Sequence, residues 1–258
     1  MLLALNVGNT TIAAAVFAGN ALKGDWKLAT RADLTSDELG VSLLNLMVQA
    51  GAKPEGIDGV IISSVVPSLQ PTLVRMCQRY FKIEPAFLDH RWELVKLAVR
   101  EPATVGTDRI ADCIAGFRQF GGPLLIIDFG TAITFNLISP EGAFLGGAIA
   151  PEMELAAQTL IKRTAQLFGV ELDAPASVIG RDTAENLRAG IVIGFIELVR
   201  GLITRFQREY GRPLRVIATG GWGRFFSEQI PEIEAYEPLL TLQGLQIAWE
   251  KRKQAGLL

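Results

Sequence analysis

The sequence predicts an α/β protein built from two copies of one unit, and three observations carry that reading. Pro123 to Pro140, PLLIIDFGTAITFNLISP, brings an apolar run to Asp128, turns at Gly130-Thr131 and leaves on a second β-rich run. Leu2 to Phe17, LLALNVGNTTIAAAVF, does the same: superposing Asn6 on Asp128 also matches Gly8 to Gly130, at one offset of 122 residues. After each hairpin, strand and helix signals recur in similar order. Internal echoes of this kind identify duplicated architectures.

The repeated hairpin has the makings of a phosphate grip. A turn with Gly at its apex lets backbone N–H groups approach an anion with no Cβ in the way. Asn9, Thr10 and Thr131 stand beside the two glycines and add polar groups for further hydrogen bonds. A carboxylate at the strand end, such as Asp128, would hold the metal ion that the phosphates carry rather than the phosphates themselves. One Gly-Thr turn alone reads most simply as an ordinary tight hairpin. Two copies at corresponding points of a duplicated chain point to a nucleotide cleft.

Composition narrows the function classes. At 258 residues the chain can bury a substantial core, as one large domain or two small ones. Hydrophobic residues make up 49% and charged residues 20%, a globular rather than disordered balance. The net charge of -2, with no long Lys/Arg run, argues against nucleic acid as the main partner. Cys77 and Cys113 lack CxxC spacing and His90 is the sole histidine, which excludes a Cys/His zinc site and a His-based triad. No apolar run approaches the ~20 residues that span a bilayer. The opening β-run lacks the features of a signal peptide, so the expected home is the reducing cytoplasm.

Taken in order, the opening hairpin and a third run, Ala21 to Thr30, make a three-stranded meander. Thr35-Ser36-Asp37-Glu38 has capping-box spacing, and Leu39, Leu43, Leu44, Met47 and Val48 form a helical stripe ended by Gly51. GVIISS, Gly59 to Ser64, is a fully apolar-type strand. Pro67 suits the first turn of a helix running to about Phe81, and Glu84 to Leu88 is a candidate strand. The order βββ-α-β-α-β is that of one half of an actin-like nucleotide-binding fold.

Between the halves lies REPATVGTDRIAD, Arg100 to Asp112. A loop bearing Gly106 turns into a helix near Thr107, with Asp108 and Arg109 in its first turn. An Asp there complements the helix dipole, which is reason enough for many such residues. The other reading sets a carboxylate and a guanidinium together at the mouth of the cleft; position alone leaves both open. The second half then offers strands at Leu124 to Asp128, Ala132 to Ser139 and Ala143 to Ala150. A helix from Pro151 to about Phe168 follows. Thr183 to Tyr210 is a long apolar helical stretch whose Gly190, Gly194 and Gly201 permit close approach of another helix. So apolar a helix is expected to be buried, in the core or against a second subunit. Leu214 to Thr219 is a strand entering Gly220-Gly221, and a last helix covers about Gln243 to Gln254.

These motifs resemble those of the type III pantothenate kinases, in the acetate and sugar kinase/Hsc70/actin superfamily. The resemblance rests on GNT at Gly8 to Thr10, SSVVPSL at Ser63 to Leu69, EPATVGTDR at Glu101 to Arg109 and DFGTAIT at Asp128 to Thr134. It continues through GGAIAP at Gly146 to Pro151, GRDTAENLRAG at Gly180 to Gly190, ATGG at Ala218 to Gly221 and LTLQGL at Leu240 to Leu245. Each is weak alone; eight in the family's order are not. The implied fold is a pair of duplicated actin-like (ribonuclease H-like) domains, 1–117 and 118–258, with an ATP cleft between them. The dimer-forming helix and the C-terminal helix fall in the second.

The resemblance implies transfer of the ATP γ-phosphate to the primary hydroxyl of pantothenate in coenzyme A biosynthesis. It implies a cytoplasmic homodimer that uses a divalent metal, Mg2+, and a monovalent cation, K+ or NH4+. Asp108 matches the family's general base. Gly106, Thr107, Asp108 and Arg109 match its substrate motif, and Thr183 matches a Thr that reaches the substrate from the partner subunit. Asn6, Gly8, Asn9, Thr10, Gly130, Thr131, Gly220 and Gly221 fall on its ATP and phosphate motifs, with Asp128 as metal anchor. The Ala-Thr-Gly-Gly loop would lie flat against adenosine; a plain strand-to-helix turn is the simpler account.

Three positions depart from the family pattern. Asn6 stands where its first motif has Asp, Asn136 where its second closes with Asp, and Glu152 where a Gly follows the Pro of Gly-Gly-x-Ile-x-Pro. Asn6 retains an oxygen acceptor but no charge. Glu152 suits a helix N-terminus, yet adds a negative charge that would oppose an anionic substrate. Two expectations follow: an active, slowed pantothenate kinase, or an impaired paralogue acting as an accessory protein, in the manner of the Bvg accessory factor.

Overall fold

The two copies fold into two five-stranded sheets of one topology. The computed structural model of the chain describes residues 1–164 and 169–257. The first sheet holds β1 (Leu2–Val7), β2 (Thr11–Ala18), β3 (Ala21–Ala29), β4 (Gly59–Ser64) and β5 (Ala86–Phe87), in the order β3-β2-β1-β4-β5. The second holds β6 (Leu124–Phe129), β7 (Ala132–Ile138), β8 (Phe144–Pro151), β9 (Arg215–Gly220) and β10 (Ala235–Tyr236). Read from its other edge, its order is β8-β7-β6-β9-β10. Each sheet is thus a three-stranded meander whose first strand also pairs in parallel with a fourth. β1 pairs antiparallel with β2 and parallel with β4; β6 pairs antiparallel with β7 and parallel with β9. The duplicated α/β fold expected from the sequence is the one observed.

One compact unit gathers Met1–Gly121, Ser139–Leu145 and Leu239–Leu258; the other gathers Gly122–Ile138 and Gly146–Pro238. In the first unit, alternation along β1 feeds two apolar layers. Leu3, Leu5 and Val7 pack with residues of α1 (Ser36–Gln49) and α2 (Gln70–Met76), while Leu2 and Ala4 pack with α3 (Thr107–Phe120) and the final helix. A capping box starts α1 as the sequence predicts. Thr35 Oγ1 accepts from the Glu38 N–H at 3.2 Å and Glu38 Oε2 from the Thr35 N–H at 3.0 Å, an arrangement worth about 1 kcal/mol. Beyond α2, a π-type turn over Cys77–Phe81 carries the helix to the expected Phe81.

The second unit packs one face of its sheet against helices. Leu125, Ile127 and Phe129 of β6 cluster with Met153 and Ala157 of α4 (Met153–Arg163). They also meet Ile196, Val199 and Ile203 of α6 (Gly194–Tyr210) and Phe226 of α7 (Gly223–Gln229). The expected end of the α4 stretch, near Phe168, lies outside the described residues. α5 (Thr183–Arg188) runs through a π-type turn, Ala189–Ile193, into α6, giving the predicted helical stretch Thr183 to Tyr210. Its apolar side is buried, but its glycine side is not. A Cβ at Gly190, Gly194 or Gly201 would meet nothing within 4 Å.

Sequence order predicts the closing helix, α8 (Leu240–Gln254), to fall in the second half, whereas it packs within the first unit. Packing explains the difference. Gly244 lets α8 lie against α3 so closely that a Cβ there would fall 2.0 Å from the Ala111 carbonyl oxygen. Leu242, Leu245 and Ala248 then complete the layer of Ile110, Ala111 and Ile114. α7 and β10 carry no sequence signal of their own, both being too short to show a period.

Candidate active site

In the first unit the candidate residues gather at the ends of β1 and β4. Asn6 lies in register with Ala13 on one side and Ser63 on the other. Ser63 is fully buried, and its Oγ shares a hydrogen bond of 2.8 Å with Thr107 Oγ1. That bond ties the strand beside Asn6 to the first turn of α3, where Asp108 and Arg109 stand. In the β1–β2 turn, the Gly8 N–H donates to the Thr11 carbonyl at 3.0 Å and Thr30 Oγ1 donates to the Gly8 carbonyl at 2.8 Å. The Gly8 amide is therefore committed within the turn. What Gly8 offers an anion is a missing side chain, with Asn9 and Thr10 at the tip.

Asp108 sits in a space that Gly106 creates. A Cβ at Gly106 would fall 2.4 Å from Asp108 Oδ1, and that oxygen accepts the Arg109 N–H at 2.8 Å. Burial raises the Asp108 pKa above the ordinary carboxylate value, against the pull of its backbone bond and of the Arg109 charge. A carboxylate poised this way is a better proton acceptor near neutral pH than an exposed one. Arg109 lies over the Phe144 ring, its Cζ 5.1 Å from the centroid, a cation–π contact that fixes the guanidinium plane. Burial lowers the pKa of Arg109, which nonetheless stays charged.

The second unit repeats the strand-end geometry with an acid in place of the amide. Asp128 is in register with Thr134 on β7 and Thr219 on β9. Gly130 and Gly220 border its carboxylate: a Cβ at Gly130 would come within 3.4 Å of Oδ2, and one at Gly220 within 2.5 Å of Oδ1. Gly220 has φ +86°, a conformation that favours glycine. The Gly221 N–H donates to the Phe129 carbonyl at 2.9 Å, just as the Val65 N–H donates to the Val7 carbonyl at 3.1 Å in the first unit. The structure thus brings Asp128, Gly130, Thr131, Gly220 and Gly221 to one sheet end. Thr183 stands on a different element, as the first residue of α5 after its N-cap Asp182.

Two of the three unusual positions have a local structural role. Glu152 is the N-cap of α4, its carboxylate accepting the Glu154 N–H at 2.7 Å and the Leu155 N–H at 2.9 Å. Asn136 is fully buried on β7 and donates from Nδ2 to Thr134 Oγ1 at 3.3 Å. Two further polar residues, Ser63 and Thr219, stand at these strand ends, and no sequence motif signals their role. Ser63 flanks Asn6 in register and holds Thr107, and Thr219 flanks Asp128 in register.

No group of three or more His, Cys, Asp or Glu side chains able to hold a metal occurs among the described residues. A resident all-protein metal cage is not what the Asp128 corner offers. Its donor set, one carboxylate flanked by two glycines, suits a magnesium ion that keeps several waters and arrives with substrate phosphates. No helix of the described residues is long and apolar enough to cross a membrane.

Comparison with known proteins accords with this geometry. The family described as type III pantothenate kinase matches residues 2–205. A type III pantothenate kinase from Thermomicrobium roseum is 42% identical over 252 residues, covering 97% of each chain. Among solved structures, a Campylobacter jejuni chain provisionally described as a Baf family transcriptional activator superposes with a TM-score of 0.62 at 20% identity. It covers 98% of this chain and 99% of its own. An inorganic polyphosphate/ATP-glucomannokinase from Arthrobacter gives a TM-score of 0.52 at 14% identity, covering 98% of each. At such identities the structural likeness concerns the fold alone, a pair of duplicated actin-like domains.

Proposed function

The chain belongs to the type III pantothenate kinase family, and we propose that it transfers the γ-phosphoryl group of ATP to the primary hydroxyl of pantothenate, in coenzyme A biosynthesis. The observation that carries this reading is agreement over nearly the whole chain, 97%, with a curated kinase at 42% identity. The Asp108 corner supports it with chemistry of the right kind.

Phosphoryl transfer needs little covalent help from the protein, because most of the catalysis is positioning and charge neutralisation. Asp108 acts as general base, accepting the proton of the pantothenate hydroxyl while that oxygen forms its bond to the γ-phosphorus and ADP leaves with the bonding pair. Gly106 keeps the carboxylate's space clear, and Ser63 anchors Thr107 behind it. Arg109, steadied by Phe144, orients the anionic substrate. Asn6, Gly8, Asn9 and Thr10 of the first unit, and Gly130, Thr131, Gly220 and Gly221 of the second, are the residues assigned to ATP. Asp128 would hold Mg2+, which would offset the charge of the polyphosphate; a monovalent cation, K+ or NH4+, belongs to the same proposal.

The working form is a cytoplasmic homodimer in which Thr183 completes the partner's substrate site. In support of it, the glycine side of α5–α6 lies exposed while the opposite side is buried. The accessory-protein reading is not favoured. The relative described as a Baf family activator is 20% identical and speaks for the fold alone, whereas the curated kinases lie near 40%. The deciding experiment is ADP release from ATP with and without pantothenate, in magnesium and potassium. Pantothenate-dependent release is expected, and its absence at high enzyme concentration would overturn the assignment.

A further inference from the structure

We propose that Tyr236 is a positioning residue that locks the Gly220–Gly221 peptide plane beside Asp128 and thereby sets the affinity for ATP. The inference rests on the nucleotide role proposed above for Gly220 and Gly221. The peptide between these residues is held on both edges. Its carbonyl, that of Gly220, accepts from the Tyr236 hydroxyl at 3.0 Å, and its N–H, that of Gly221, donates to the Phe129 carbonyl at 2.9 Å. A Gly-Gly peptide is the easiest in a chain to rotate, because no Cβ on either side resists it. Pinning both edges removes that freedom. The rotation matters here because Gly220, at φ +86°, stands directly against the Asp128 carboxylate.

Tyr236 is itself well placed to act as a fixed donor. Its backbone is set by β10, in register with Ala218 of β9, and the Glu237 N–H donates to the Ala218 carbonyl at 2.8 Å. Its ring lies against Gly223, where a Cβ would fall 2.6 Å from the ring edge. Burial raises its pKa, so the hydroxyl keeps its proton across the working pH range.

The internal duplication provides a control within the molecule. In the first sheet β5 pairs with β4 as Ile61↔Ala86 and Ile62↔Phe87; in the second, β10 pairs with β9 as Ile217↔Ala235 and Ala218↔Tyr236. Phe87 therefore occupies the place of Tyr236. The ring is present in both copies, but the hydroxyl occurs only beside the strand end that has the acid and the Gly-Gly turn.

The test is Tyr236→Phe, which removes one oxygen and restores the residue type of the other copy. Loss of one hydrogen bond of ordinary strength corresponds to about a five- to tenfold change in an equilibrium. The variant is expected to raise KM for ATP, and the Kd of a non-hydrolysable ATP analogue, by about that factor. KM for pantothenate and kcat stay within about twofold, and amide exchange at Gly221 quickens. An unchanged KM and Kd for nucleotide would overturn the proposal. So would a parallel rise in both KM values with a lowered Tm, since that is the signature of a merely structural residue. If the unaltered protein binds the analogue but shows no pantothenate-dependent ADP release, the assigned reaction fails while the Kd comparison still judges Tyr236.

Discussion

The carboxylate of Asp128 fills the space that a side chain at Gly220 would need. A Cβ built at Gly220 falls 2.5 Å from Asp128 Oδ1 and 2.5 Å from the Phe129 carbonyl, and the backbone there has φ +86°. Backbone and a strand-end carboxylate cannot both retreat. Gly220→Ala is therefore expected to lose about 1–3 kcal/mol of stability from the strained backbone. It should also turn the Asp128 carboxylate away and raise the magnesium concentration needed for half-maximal activity. Chemical denaturation and a magnesium titration of turnover check the two parts. A variant of unaltered stability and magnesium response would show that the corner has slack the geometry does not reveal.

Burial sets the behaviour of Asp108 with pH in two ways. As the proposed general base it must be ionised, so its raised pKa moves the acid limb of kcat/KM above the ordinary carboxylate value of 3.8. For stability the sign is opposite to that of a salt-bridged acid. From pH 3.8 up to the raised native value, the folded chain binds more protons than the unfolded one. Stability therefore falls as pH rises through that window and stays lower above it. Asp108→Asn removes the buried charge while leaving an oxygen to accept the Arg109 N–H. Turnover should drop by about 10²–10⁴-fold, with a Tm at pH 7 that is equal or higher. A clear fall in Tm would contradict the burial account.

Asn6 stands where the first copy of the strand end lacks the charge that Asp128 supplies in the second. A unit charge at ~4 Å with an effective dielectric of ~20 is worth roughly 4 kcal/mol. Fully expressed in the transition state, that is a ceiling of about a thousandfold in rate. Asn6→Asp is expected to raise kcat/KM or tighten magnesium dependence by some part of that factor, read from steady-state kinetics at several magnesium concentrations. If neither changes, the missing charge is irrelevant to turnover.

What the sequence made legible was whatever repeats or has a period. The offset between Asn6 and Asp128 foretold two sheets of one topology, because each copy must build the same meander around the same buried strand. The Thr35–Glu38 capping box was legible because it is purely local. The placement of α8 was not, since a Gly such as Gly244 signals close approach without naming Ala111 as what it approaches. Tyr236 was hidden for a related reason. Its strand has two residues, too few for alternation, and its hydroxyl serves a carbonyl 16 positions away. Ser63 lies within a family motif, yet its partner Thr107 is 44 positions on, and only the packing of α3 on β4 brings them together.

The exposed glycines of α5–α6 allow the proposed dimer to be tested without disturbing the fold of the subunit. A Cβ at Gly194 meets nothing within 4 Å, and the buried side chains of that helix, Ile196, Val199 and Ile203, point into the apolar cluster of the second unit. Gly194→Leu should therefore stabilise the isolated helix by about 0.8–1 kcal/mol through propensity alone. On a surface packed against a second copy, the same side chain has no room. Sedimentation velocity should then show a shift from dimer to monomer, by about tenfold or more in the dissociation constant if even ~1.4 kcal/mol of contact is lost. Turnover should fall with the dimer, because Thr183 would no longer reach a partner's substrate. A variant that remains a fully active dimer would place the interface on another surface.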